Sequence, residues 1–266
     1  MTTWQLGEVA VERMGFGAMR ITANPDQAIA VLRRAVELGV NHLDTAAFYA
    51  SGKRFASELI REALAPYPAD LIIATKVGPG TDADRGFYNA TTAAELREQV
   101  ETNLLQVGVD CLDVVNLRIT GDGSLAERFG WLVELRDEGL IKQLGVSNVR
   151  LAHVEEALAI APIVCVQNSY AVDRRGGDED AIIRFCAERD IAYVPFGTIT
   201  GADDSAAVDS IAAAHNATPQ QVRLAWTLHH SPNILAIPGT SNVDHLEENI
   251  AAGSLHLSPE ELATLD

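Results

Sequence analysis

The sequence predicts a (β/α)8 barrel, a TIM-type α/β fold, with an N-terminal β-hairpin capping the barrel floor. Three observations carry that expectation. Short runs that stay apolar at successive positions recur eight times, as parallel strands buried on both faces require. Segments of helical period alternate with them along nearly the whole chain, which suits a closed barrel better than a doubly wound sheet. No shift in composition and no Pro/Gly/Ser linker divides the 266 residues, so one domain spanning 1–266 is expected.

Taken in order, WQL and VAVER around Gly7-Glu8 form the opening hairpin. The eight strand-like runs are MGFGAM, VNHLD, DLIIATK, LDVVNL, KQLGVS, IVCVQN, IAYVPF and ILAIP. Helical period is read over 26–38, 54–64, 93–105, 125–138, 151–160, 179–188, 219–228 and 243–252. Asn24-Pro25, Thr92, Ser124 and Thr218-Pro219 stand before the first, third, fourth and seventh of these, each supplying an oxygen cap or a first-turn proline. Gly39 and Gly139 close two of them. The loops GPGTDADRG and RRGGDED follow the third and sixth strands, on the face where barrels keep their active sites. They offer Arg85, Phe87, Arg174 and Arg175 as cover for the pocket, although each reads first as solvated surface.

Apolar residues make up 47 % of the chain, ample for a core, and the net charge is -17. Nucleic acid or an anionic membrane would call for clustered Lys and Arg, and the 20 basic residues are scattered among 37 acidic ones. A small soluble ligand is therefore the expected partner. The start lacks a basic n-region with a long apolar stretch, and no segment approaches the ~18 apolar residues of a membrane span, which points to the cytoplasm. Cys111, Cys165 and Cys186 are widely spaced and sit in apolar contexts, as core residues do. No Cys/His or carboxylate cluster has metal-ligand spacing, so no metal is expected.

In a barrel, residues at the C-terminal ends of strands converge. Asp44 and Tyr49 follow the second strand, Lys76 ends the third, Arg118 the fourth, Ser147-Asn148 the fifth and Gln167-Asn168 the sixth. A phenol with a pKa of about 10 is a poor acid near neutral pH, but a nearby ammonium favours its ionised form. Lys76 would supply the ammonium, Asp44 would hold it charged, and Tyr49 would then protonate a carbonyl oxygen as a hydride arrives at carbon. Singly, each residue has a plain reading: Asp44 as a turn cap, Tyr49 as a half-buried loop aromatic, Lys76 as a rim lysine. The GFGAM run lacks the third glycine of a dinucleotide fingerprint and reads as a tight first βα turn.

DTAAFY, the lysine of IIATK, GVSN at 145–148, VQNSY at 166–170 and IPGTSNVDHLEEN, in this order, resemble the aldo-keto reductase family. LDVVNLR, VCVQN and AYVPF are closest to its bacterial branch that includes pyridoxal reductases. The resemblance implies Tyr49 as general acid, Asp44 and Lys76 as its activators, and an NADPH site, with NADH as the alternative. Ser147, Asn148 and Gln167 match positions that bind the nicotinamide carboxamide, and Tyr193 matches the aromatic that stacks on the ring. The stretch 196–201, with Phe196 and Gly197, would run along the pyrophosphate.

The segment Gly239, Thr240, Ser241 and Asn242 opens a helix whose free N–H groups suit a phosphate. His245 belongs to the same segment, where relatives often carry Arg or Lys, and Glu248 and Asn249 match positions near the adenine. By the same resemblance Gly17 belongs to the cofactor site, Met19 and Arg20 would border its nicotinamide end, and Met19 with Phe48 would line the substrate pocket. Arg118 stands where the family usually places a histidine. An arginine is always charged and cannot share a proton relay, but it can polarise a carbonyl or pair with an anion beside the aldehyde, as in pyridoxal. It could instead turn aside to Asp122.

The expected function is reduction of a small aldehyde or ketone, pyridoxal-like by preference, to the alcohol. A cofactor-binding sensor with an impaired site on the same fold, or a lyase or isomerase on a generic barrel, are the competing readings. Relatives usually continue past LSPEELATLD into a loop over the pocket, so an open site or further residues are expected there.

Overall fold

The computed structural model describes residues 3–82, 86–199 and 205–266. Strands β1 (Thr3–Leu6) and β2 (Val9–Glu12) pair antiparallel as the expected hairpin, turning at Gly7 with a φ of +66°. β3 (Phe16–Gly17) leads through a 3₁₀ turn to α1 (Pro25–Glu37). β4 (His42–Asp44) is followed by a small hairpin, β5 (Ala50–Ser51) and β6 (Arg54–Phe55), and by α2 (Ala56–Leu64). β7 (Ile72–Val77) precedes a second hairpin, β8 (Pro79–Asp82) and β9 (Gly86–Asn89), and α3 (Ala93–Val107).

β10 (Leu112–Arg118), α4 (Ala126–Asp137), β11 (Ile141–Ser147), α5 (Leu151–Ile160), β12 (Cys165–Gln167), α6 (Glu179–Ala187) and β13 (Ala192–Tyr193) then alternate. α7 (Ala206–His215), α8 (Pro219–His230), α9 (Val243–Ala251) and α10 (Pro259–Leu265) complete the chain.

Seven strands form one parallel sheet in the order β13-β12-β11-β10-β7-β4-β3. The eighth run, ILAIP, joins its two edges through parallel bridges from Ile234 to Tyr193 and from Ala236 to Met14. Leu235 N donates to Tyr193 O (2.9 Å), Ala236 N to Arg13 O (2.9 Å) and Gly15 N to Ala236 O (2.8 Å), so the barrel closes. Pro232 and Pro238 flank the run, and a proline has no N–H to extend a ladder. That explains why the eighth run is bridged rather than fully paired.

Side chains alternate across each strand. The outward set, including Ile73, Val115, Val146 and Val166, packs beneath the helices in the larger core. The inward set, Ile72, Ala74, Val114, Cys165, Ala192, Val194, Leu235 and Ile237, fills the barrel's lower half. Leu6 and Val11 of the hairpin, 1 % and 0 % exposed, join it from below, as a floor cap should.

The helices begin where their caps predict: Asn24 accepts from Gln27 N, Thr92 from Glu95 N, and Thr218 forms a capping box with Gln221. Ser124 sits one residue further out than a cap; its hydroxyl accepts from Ala126 N (3.1 Å) and donates to Glu156. α7 and α10 lie outside the expected set. The alanines of α7 leave no clear apolar stripe, and α10 is short, although Ser258 and Glu261 mark its start with a capping box.

Candidate active site

The alternation that packs the barrel floor also builds its mouth. With Ile72 and Ala74 facing inward, Lys76 does too; with Val114 inward, so is Arg118; with Cys165 inward, so is Gln167. Register then sets these ends side by side, pairing Asp44 with Ala74, Arg118 with Ser147, and Ser147 with Gln167. They surround a cavity of about 450 Å³ whose lining includes Gly17, Met19, Asp44, Phe48, Tyr49, Lys76, Arg118, Gln167, Phe196, Gly197 and Gly239. At its β3 side the backbone of Gly17 presses on Ile237 O, where an added Cβ would come within 2.6 Å.

Lys76 Nζ donates to both oxygens of Asp44 (2.8 and 2.7 Å) and to Thr45 O (3.0 Å), and both side chains are buried. Burial works against the ammonium, but the Asp44 carboxylate and then Tyr49 more than offset it, so the Lys76 pKa lies above its ordinary value. Tyr49 is held by the turn after β4, its N–H donating to Ala46 O (2.9 Å). The ammonium lies 4.9 Å from the centre of its ring, and Phe48 meets that ring edge-on at 5.2 Å.

Gln167 Nε2 donates to Asp44 Oδ1 (2.7 Å), while its Oε1 is buried with no protein partner among the described residues. Arg118 remains in the cavity. One guanidinium N–H reaches Ser147 Oγ (3.4 Å) and the group lies 5.1 Å from the centre of the Phe196 ring, whereas Asp122 pairs with Arg150 (2.7 Å).

Directly beneath Asp44 on β4, His42 is 1 % exposed and its Nδ1 has no partner among the described residues. Gly15 backs onto that nitrogen so closely that a Cβ there would come within 2.8 Å. Burial pushes the imidazole pKa down from 6.5 to about 4, with Asp44 acting weakly upward and Lys76 weakly downward. The unfolded chain therefore takes up a proton that the folded one refuses. His42 leaves stability untouched above pH ~6.5 and lowers it by about 3 kcal/mol in all as pH falls toward 4. Denaturant melts from pH 7 to 4.5 should show a steeper loss for the wild type than for His42→Gln; parallel curves would disprove the assignment.

Several expected cofactor residues are placed differently. Tyr193 does not face the cavity: Ala192 and Val194 take the inward positions, so Tyr193 points out, fully buried, and donates to Glu179 Oε2. Burial raises its pKa and that of Glu179. Phe196, two positions beyond Val194, is the aromatic on the cavity wall. Asn148 has a φ of +59° and turns its amide to Ile119 O (2.8 Å), away from the cavity. Ser147 lies within hydrogen-bond reach of Arg118 and is fully buried.

At α9, Asn242 Oδ1 already accepts from Asp244 N (2.7 Å) and His245 N (3.2 Å), so fewer N–H groups are free than expected. Thr240, Ser241, Glu248 and Asn249 continue from Gly239 along that rim outside the central cavity. Gly201 and Arg85 lie outside the described residues. Pro79 of the GPGTDADRG loop and Ile199 of the stretch 196–201 also line the cavity, as does Ile237, which was not anticipated. Ile237 was recoverable from the alternation of the eighth run.

Comparison with known proteins identifies the family. The profile of the aldo/keto reductase family matches residues 13–203 and 200–266. The chain belongs to the aldo/keto reductase family. Pyridoxine 4-dehydrogenase of Escherichia coli K12 is 46 % identical over 281 residues, covering 99 % of this chain and 97 % of that one. Among solved structures, a thermostable aldo-keto reductase, Tm1743, in complex with epalrestat superposes with a TM-score of 0.86 at 29 % identity, covering 100 % and 99 % of the two chains. An aldo-keto reductase from Klebsiella pneumoniae in complex with NADPH gives 0.83 at 27 % identity, over 100 % and 94 %.

Membership makes the chain an oxidoreductase and places its closing eighth run within a (β/α)8 barrel. Among the described residues no helix is long and apolar enough to cross a membrane, and no group of three or more His, Cys, Asp or Glu could hold a metal.

Proposed function

We propose that residues 1–266 act as one barrel that uses NADPH to reduce a small aldehyde, pyridoxal-like in carrying an anion beside the carbonyl, to the alcohol. The observation that carries this reading is the buried Lys76–Asp44 pair set against Tyr49 at the base of the cavity. The cofactor fits on one feature above all: Gln167 Oε1 is a buried acceptor without a protein partner, and a carboxamide N–H would supply one. Gln167 and Phe196 would hold the nicotinamide end, with Gly17 and Met19 beside it. Gly197 and the stretch Gly239 to Asn242 would hold the phosphates, and His245, Glu248 and Asn249 would lie toward the adenine. When bound, the reduced nicotinamide supplies a hydride to the carbonyl carbon.

The protein's own residues do the rest. Tyr49 donates the proton to the carbonyl oxygen, and Lys76, kept charged by Asp44, stabilises the phenolate left behind. Arg118 polarises the carbonyl and pairs with the neighbouring anion. Met19, Phe48 and Phe196 form apolar walls that exclude water from the reacting groups. The E. coli relative's name supports a pyridoxine-type substrate pair. An impaired sensor finds no observation in its favour.

NADPH oxidation with pyridoxal and a panel of aldehydes tests the reading; bound cofactor without turnover on any aldehyde would end it. Arg118 carries a separate expectation. In Arg118→Met, KM for 4-carboxybenzaldehyde should rise about 10- to 100-fold, the equivalent of one charged hydrogen bond, while KM for benzaldehyde changes little and kcat falls on both. An equal rise in KM for both substrates would remove the anion-pairing role.

A further inference from the structure

Behind Lys76 lies a second, smaller chamber of about 110 Å³, between the β8–β9 hairpin and α3. Phe48, Lys76 and Pro79 line both it and the main cavity and so form a shared wall. We propose that this chamber holds water, anchored by Gln106, and is the route by which solvent returns the proton spent in each reduction. The proposal rests on the reductase reading.

Gln106 is 7 % exposed and lines the chamber, and its Oε1 has no protein partner among the described residues. Its neighbours are satisfied. Gln99 accepts from Gly78 N (2.7 Å) and donates to Gly78 O (3.1 Å), and Asn103 accepts from Thr75 Oγ1 (2.5 Å) and donates to Gln99 O (2.8 Å). A buried acceptor without a protein partner, in a residue lining a chamber shared with Thr81, Gln99, Thr102 and Asn103, is a place for ordered water, and a water occupies roughly 30 Å³ in the liquid. The half-buried Thr102 and the exposed Thr81 carry the lining toward the surface.

Such a route returns the proton while substrate or product still fills the main cavity. A substrate filling the main cavity between Met19, Phe48, Phe87 and Phe196 would shut solvent out on that side. The O–H bond of Tyr49 that breaks in the reduction re-forms with a proton from Lys76 Nζ, one of whose three hydrogen bonds to Asp44 and Thr45 opens for the transfer. The N–H bond broken there re-forms with a proton passed along chamber water from bulk hydronium. One proton thus enters per carbonyl reduced, and the charge of the site is restored.

Gln106→Met removes the acceptor and fills space without touching the reacting groups. In this variant the first turnover of NADPH oxidation should run at the wild-type rate while steady-state turnover falls about tenfold with a larger solvent isotope effect. Gln106→Glu, which keeps an acceptor oxygen, should restore it. A parallel fall of first-turnover and steady-state rates, or no change in either, would overturn the proposal. A high-resolution crystal structure of the wild type gives a readout independent of activity. Water within about 3 Å of Gln106 Oε1 is expected, and a dry chamber would overturn the proposal even if Gln106→Met failed to fold. A wild type that shows no first turnover at all would instead defeat the reductase reading itself.

Discussion

Tyr49→Phe is expected to lower kcat for aldehyde reduction by about a thousandfold, within the range that a positioned general acid contributes, while leaving NADPH affinity within about twofold. The separation follows from where the phenol sits. The ring packs edge-on against Phe48 at 5.2 Å and lies 4.9 Å from the Lys76 ammonium, and phenylalanine keeps both contacts. The residues proposed to hold the cofactor, Gln167 and Phe196 among them, sit on other strand ends and are untouched by the change. What disappears is the hydroxyl alone, and with it the proton that must reach the carbonyl oxygen. Fluorescence titration with NADPH and stopped-flow oxidation on one preparation make the comparison. Turnover retained within about tenfold would rule Tyr49 out as the acid, because that is less than such a donor ordinarily supplies.

Lys76→Met should cost about 3–5 kcal/mol of stability as well as activity, since removing one member of a buried ion pair strands the other. Asp44 is 3 % exposed, and after the change only Gln167 Nε2 would still reach its carboxylate among the side chains now bonded to it. Methionine has nearly the lysine's shape, so the loss reports charge rather than a cavity. The double variant Asp44→Asn/Lys76→Met should regain a large part of the stability, because the unpaired charge is gone. It should regain none of the activity, which needs the ammonium. Denaturant melts of the single and double variants decide the matter. If Lys76→Met melted within about 1 kcal/mol of the wild type, Asp44 would have to be compensated from elsewhere.

How much of this site was legible in the sequence depends on which geometric rule placed each residue. Asp44, Lys76, Arg118 and Gln167 end strands whose apolar runs were plain, and strand ends in a barrel converge. Tyr193 was misplaced by motif matching, although the alternation of IAYVPF alone assigns it outward and Phe196 inward. Asn148 was misplaced for a different reason. Its φ of +59° rotates the side chain away from the cavity, and nothing in GVSN announces a left-handed residue. At α9, an asparagine before a helix was a readable cap, and Asn242 spends its oxygen on the N–H groups that the phosphate reading had wanted free. The α7 helix was hidden because its alanines provide propensity without an apolar stripe.

By itself the sequence determined the alternation of strands and helices, the hairpin under the floor, and which titratable residues stand at strand ends. These follow from local rules, namely hydrophobic period, turn chemistry and caps, which act over a few residues. Only the tertiary structure decided that Lys76 spends its donors on Asp44 and Thr45, that Arg118 stays in the cavity while Asp122 takes Arg150, and that Gln106 Oε1 is left without a partner among the described residues. Those facts depend on strand register and on contacts between residues as far apart as Asp44 and Gln167, and no local pattern encodes such distances.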